Sequence, residues 1–295
     1  CSCFNGISAT RAPETTIDFI IGPSYLTQVN WNRPQTNKLL FEAGFASRNA
    51  PVVNKRQPEV TPATIAMLNL TTGVQYNALI SVPGTGGFGV FGRSDQYNTA
   101  AAISYITGSH AMKVGFQTLS GRNPAFGQAN DPPVRYEFRQ DAAGNLVPSQ
   151  ITQIAGPQGG FWSNVDLNMG VFIQDQWTLN RLTLNLGVRY DKLHVTNPAT
   201  VRPAGPFLGE LSFPEVKGVP DWQDINPRVG AAYDLFGNGR TAIKAAFGRY
   251  VISESLNIAT QTNPSAALAS SVTRSWADAN GNLAPDCTLT TNAAN

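Results

Sequence analysis

VFIQDQWTLNRLTLNLGVRYD, residues 171–191, is the stretch on which the reading of the fold turns. After Asn180-Arg181 the side chains alternate without interruption. Leu182, Leu184, Leu186, Val188 and Tyr190 fall on one face, and Thr183, Asn185, Gly187, Arg189 and Asp191 on the other. A period of two means a strand, because successive side chains leave a pleated backbone on opposite sides. At ~3.3 Å per residue, a strand from Arg181 to His194 runs roughly 45 Å, well beyond the usual five or six residues. Before the turn, Val171, Ile173, Trp177 and Leu179 make a second, less regular row. Two long strands with one greasy and one charged face suit a wall between lipid and water. Asp175 is the exception, since it shares the parity of the apolar row. A bulge between Asp175 and Trp177, or a position near the membrane interface, would resolve the conflict.

The same hairpin plan recurs along the chain. Ser24–Asn32 and Lys38–Ser47 flank Arg33-Pro34-Gln35, and Tyr97–Ile106 and Ala111–Leu119 flank Thr107-Gly108-Ser109-His110. Arg228–Phe236 and Thr241–Ile252 flank Gly237-Asn238-Gly239, a strong turn signal. The hairpins thus cover about residues 24–47, 97–119, 166–194 and 228–252. In each, one parity is apolar and the other carries polar or charged residues such as Glu42, Lys113, Arg189, Asp191, Arg228, Asp234 and Lys244. The connections 48–96, 120–165 and 196–227, and the chain after Ser253, are long and rich in Pro, Gly, Asn, Thr and Ser. Short strands are expected within them at Ile65–Thr71, Val74–Val82 and Val134–Gln140. Short turns alternating with long connections are the pattern of a transmembrane barrel with turns in the periplasm and loops outside the cell. On that reading the segments around Pro58, Ala129, Pro206 and Asp278 are extracellular. Trp31, Tyr105, Trp177 and Tyr233 each precede a short turn by a few residues, where an interfacial girdle belongs. A secreted β-sandwich or adhesin also has alternating strands and is the competing architecture.

Composition narrows the function classes. Lys and Arg number 21 against 19 Asp and Glu, a net charge of +2, and no basic strip is interleaved with aromatics, so nucleic acid is not an expected partner. Charged residues are 14% of the chain, well under the usual ~25%. No apolar run approaches the ~18–20 residues of a membrane helix, which leaves strands as the only way across. The chain opens on Cys1-Ser2-Cys3 without Met and reads as an internal segment of a longer protein. Its third cysteine, Cys287, is expected to find a disulfide partner beyond Asn295.

Chemistry-bearing clusters are few. His110 and His194 stand alone in sequence and read as solvated side chains. No Ser/His/Asp or Cys/His spacing supports catalysis, so no enzyme is expected. The charged residues of the polar parity are expected to pair between strands, with direct substrate contact the lesser role. Asp278, Asn280, Asn282 and Asp286 place oxygens at positions 1, 3, 5 and 9 of a calcium-loop-like pattern. Gly281 falls at position 4 instead of 6 and no Glu closes the loop at 12, which favours an ordinary Asn-Gly turn over a calcium site.

Val171–Asp191 resembles the FxQDxWxxxxxLTLxxGxRYD strand pair of TonB-dependent outer-membrane transporters. INPRVGAAYDLFGNGRTAIKAAFGRY (225–250), TNKLLFEAG (36–44), GSHAMKVGFQ (108–117) and NPSAALASSVTRSWADANGNLAPDC (263–287) are similar to their Oar-like members. The resemblance implies an all-β fold that is part of a large antiparallel barrel of about 22 strands enclosing a plug. It implies ~8 wall strands here, with the plug and a TonB-contacting segment elsewhere in the full-length protein. It also implies location in the outer membrane, contact with its lipid, and TonB-energised uptake of an unknown scarce ligand. A passive porin-type channel and a secreted surface β-protein are the alternatives.

Overall fold

In the computed structural model the described residues are 2–5, 8–82, 88–156, 158–252, 254, 256–286 and 289. Cys1 and Cys287 lie outside them. Strands β1 (Ser2–Asn5), β2 (Ile17–Ile21), β3 (Tyr25–Pro34) and β4 (Leu39–Lys55) come first. The first long connection holds β5 (Ala66–Asn69) and β6 (Gln75–Tyr76), and β7 (Gly89–Ile106) and β8 (His110–Gln128) follow. The second holds β9 (Val134–Gln140) and β10 (Leu146–Ile154), before β11 (Gln158–Leu179) and β12 (Leu182–Asn197). The third holds β13 (Thr200–Arg202) and β14 (Leu211–Phe213), before β15 (Val216–Asp234) and β16 (Ala242–Gly248). A short helix α1 (Asn257–Gln261) and β17 (Ser271–Ser275) end the series. No helix among the described residues is long and apolar enough to cross a membrane.

Ten strands form one antiparallel sheet in the order β1-β2-β4-β7-β8-β11-β12-β15-β16, with β3 also on β4. β2 pairs with residues 52–55 of β4 and β3 with residues 40–49, so the two continue one another along the same edge. Within each hairpin the two strands are neighbours in the sheet because a tight turn returns the chain directly, and the strands on either side of each of the first three long connections pair as well. At Asn180 the backbone is left-handed (φ 50°), a conformation Asn tolerates, and Leu179 opposes Leu182. At the last turn the Asp234 carboxylate accepts the N–H groups of Gly237 and Gly239 at 3.0 and 2.8 Å.

Along the apolar rows of its hairpins, among the described residues, the wall has no core of its own. Ile173, Ile243 and Phe247 are 56%, 60% and 74% exposed, and they share a parity with Val114, Val188 and Val229, all exposed as well. A single-layer sheet that leaves an entire apolar face open owes its burial to the medium around it. The ladder between β11 and β12 runs without a shift from Leu167 to Leu179, so no bulge separates Asp175 from Trp177.

The long connections differ from the sequence reading in two ways. The wall strands continue into them: β8 reaches Gln128, β11 starts at Gln158, and β15 starts at Val216 inside a stretch read as loop. β16, in contrast, stops at Gly248, short of Ile252. What remains of the connections is not a set of separate loops. β17, β10, β9, β5 and β6 form a second, five-stranded sheet, with β5 parallel to β9. Of the expected strand Val74–Val82, only Gln75–Tyr76 is extended and paired.

Candidate functional site

The site has two storeys: the polar face of the wall, and the second sheet at the end where the long connections emerge. On the wall, alternation brings the charged parity together. Lys113 Nζ reaches across β7 to Glu42 Oε2 at 2.6 Å. Arg189 Nε lies 2.7 Å from Asp191 Oδ1, and Asn226 donates to Asp191 Oδ2 from the next strand at 2.8 Å. The Arg189 guanidinium lies across Gly170 on β11, where a Cβ would sit 1.7 Å from Nη2, so this packing needs glycine at 170. Beyond β16, Arg249 pairs with Asp224 and donates to the Ile225 carbonyl at 2.8 Å, while Arg228 stacks on Tyr250 with Cζ 4.6 Å from the ring centre. Several recesses open on this face among the described residues. One of about 700 Å³ includes Lys113, Gln174, Asn185 and Arg228, and one of about 270 Å³ includes Arg189, Asp191, Asp224 and Glu254. These groups are partly hydrated, so each pair contributes only ~0.2–1 kcal/mol. Their arrangement suits contact with a polar occupant more than it suits catalysis.

The second sheet takes its strands from the first, second and last long connections, while β13 and β14 of the third pair only with each other. Val134, Tyr136, Phe138 and Ile151 from the second connection enclose Trp276 from the last, and Ile65 and Met67 from the first pack against them. Phe207 from the third connection and Leu289 complete the cluster. The Trp276 ring lies 5.1 Å from Tyr136 and 5.4 Å from Phe138. On the other face Glu137, 3% exposed, is bound by Arg135 at 2.7 Å and by the Thr152 hydroxyl at 2.5 Å. A buried carboxylate needs such partners to offset its desolvation. The chain between β16 and β17 ties this sheet to the wall. Ala259 of α1 is fully buried against Val165 and Val195, Asn197 donates to its carbonyl at 2.9 Å, and Ser265 donates to the Gly160 carbonyl at 2.9 Å.

His110 opens β8 on the apolar parity, with Nδ1 2.6 Å from Asp175 Oδ2 and its ring stacked 5.2 Å from Trp177. The lone solvated histidine of the sequence reading is therefore the polar partner that accommodates Asp175 four residues from the turn, beside an interfacial tryptophan. His194 is likewise partnered, 3.3 Å from Asp221. Asp278, Asn280, Asn282 and Asp286 do come together in one turn, with Gly281 left-handed (φ 71°). The Asp278 oxygens accept the N–H groups of Asn282 and Leu283 at 3.1 and 2.7 Å, and those of Asp286 accept Asn280 Nδ2 and the Ala279 N–H at 2.5 and 3.2 Å. An Asn-Gly turn accounts for these contacts. Sequence reasoning missed the Trp276 cluster and the Arg135–Glu137–Thr152 group. The alternation of Val134–Gln140 was the one local sign of either.

A one-layer antiparallel wall, apolar outward and ionic on its other face, with tight turns at one end and folded connections at the other, defines a β-barrel membrane protein. The chain belongs to the outer membrane beta barrel domain family, whose model matches residues 7–294. Its place is accordingly the outer membrane. Over 194 residues it is 29% identical to the TonB-dependent transporter Oar of Myxococcus xanthus, an overlap of 58% of this chain and 16% of Oar's length. The crystal structure of the outer membrane transporter YddB from Escherichia coli aligns with 84% of this chain and 28% of its own at a TM-score of 0.44 and 15% identity.

Proposed function

We propose that this chain is a wall segment of a TonB-dependent transporter that takes up a scarce ligand through the outer membrane. The observation that carries this reading is the division of one continuous sheet into an apolar face and a charged face, with all four long connections gathered over one end. A charged inner face offers partners to a plug and to a polar ligand passing it, while the gathered connections supply a preformed surface for capturing that ligand. Similarity to Oar, a TonB-dependent transporter by name, supports the energised mode over passive diffusion. In that mode a plug elsewhere in the full-length protein closes the lumen, and TonB supplies the work of opening it. In this reading the charged pairs along the wall bind and orient. Incorporation of the full-length protein into planar bilayers in KCl tests this. A plugged transporter gives no standing conductance, whereas a steady ohmic conductance would make the protein a porin-type channel.

A further inference from the structure

The apolar face carries a recess whose occupant the membrane itself supplies. Cross-strand pairing sets Trp31, Ala43, Ala101, Phe116 and Val171 in one row across β3, β4, β7, β8 and β11. Two alanines side by side between large residues leave a hollow of about 500 Å³, closed toward the short turns by Phe41. Its lining is almost wholly apolar. Surrounded by lipid, such a hollow has no water to fill it, and left empty its walls would forfeit their dispersion contacts. The component of the surroundings that is present at this depth and narrow enough to enter is an alkyl chain. A second copy of the wall is a poorer fit, because the larger side chains on both sides would hold a flat sheet away from the alanine floor.

We propose that the Ala43–Ala101 hollow binds one acyl chain of a membrane phospholipid as an ordered ligand, distinct from the freely exchanging lipid over the rest of the face. Binding here rests on packing and not on the hydrophobic effect, since lipid tails are as apolar as the site. Selectivity therefore follows from shape: filling the floor should displace the chain, while enlarging a side chain elsewhere on the same face should not. The hollow lies in the half of the wall next to the short turns.

The test is native mass spectrometry of the full-length protein released from outer membranes into mild detergent, with heat-modifiable gel mobility as the check on barrel assembly. The wild type should retain one phospholipid mass. Ala43→Phe with Ala101→Phe should lower the retained fraction about tenfold, equivalent to ~1.4 kcal/mol, and Val229→Phe on the same face should leave it unchanged. If the double variant does not assemble, Ala101→Val must still reduce retention in the folded barrel. Retention unaffected by filling the floor, loss equal in Val229→Phe, or a dimer mass abolished by the alanine substitutions would each overturn the proposal.

Discussion

β11 meets β12 continuously from Leu167 to Leu179, and each strand ends in a turn only a few residues from its partner. β5 meets β9 only from Ala66 to Asn69, in parallel, across a separation of some seventy residues. The first arrangement repeats a local rule and needs no buried core, because lipid covers its apolar face. The second has almost no local rule and depends on Trp276 and its neighbours for a core. The wall is thus specified by pattern, and the second sheet by a few non-local contacts. That difference predicts opposite responses to substitution.

Trp276→Ala should have the largest effect, destabilising the second sheet by about 3–5 kcal/mol through the cavity it leaves. Hydrogen exchange in the full-length protein should show protection lost in β9, β10 and β17 and kept in β11 and β12. Equal loss in both would mean that wall and second sheet unfold as one unit. Leu186→Arg, on the apolar face, should cost the barrel ~2–4 kcal/mol, whereas Asn185→Arg, one residue earlier and on the ionic face, should cost little. Urea titration of the folded barrel, read by heat-modifiable mobility, distinguishes them, and matching midpoints would break the assignment of faces.

Smaller effects sharpen the contrast. A double-mutant cycle on Glu42→Gln and Lys113→Gln should give a coupling of only ~0.2–1 kcal/mol, since both side chains are one-third exposed. The smallest response is expected at the β9–β10 turn. There the side-chain amide and backbone N–H of Asn145 hold the Asp141 carboxyl below the usual carboxylate range against an opposing desolvation, with smaller help from the N–H groups of Ala143 and Gly144. Its folded pKa is depressed, so the order it lends the turn is fully present above ~4 and is lost as pH falls through the lower folded value. Exchange at the Ala143 and Asn145 amides should rise relative to neighbouring turns on acidification below that point. Asp141→Ala should abolish the difference.

The wall was legible because its signal is redundant. Four hairpins repeat the same alternation, and Gly237-Asn238-Gly239 and Asn180-Arg181 mark their own turns. The second sheet was not, for physical reasons. β6 and β17 are too short to show a period, and the ladder of β10 shifts between Pro148 and Gln150, which disrupts the alternation of its apolar residues. Asp175 looked misplaced because its partner, His110, is 65 residues away in sequence. On the polar parity, alternation was enough to place Glu42, Lys113, Arg189 and Asp191 on one face. It could not show that Arg189 crosses Gly170, or that Arg249 turns back to Asp224.

Single-cysteine labelling of intact cells with a membrane-impermeant thiol reagent, in a full-length background cleared of other thiols, tests the central claim most directly. Ala142 and Pro206 are exposed within the long connections, and Asn180 and Asn238 are exposed at short turns. A wall that crosses the outer membrane with its long connections outside predicts labelling of Ala142→Cys and Pro206→Cys, and protection of Asn180→Cys and Asn238→Cys until the membrane is opened. Labelling of the short turns alone would invert the topology, and equal labelling of all four would contradict a membrane barrel altogether.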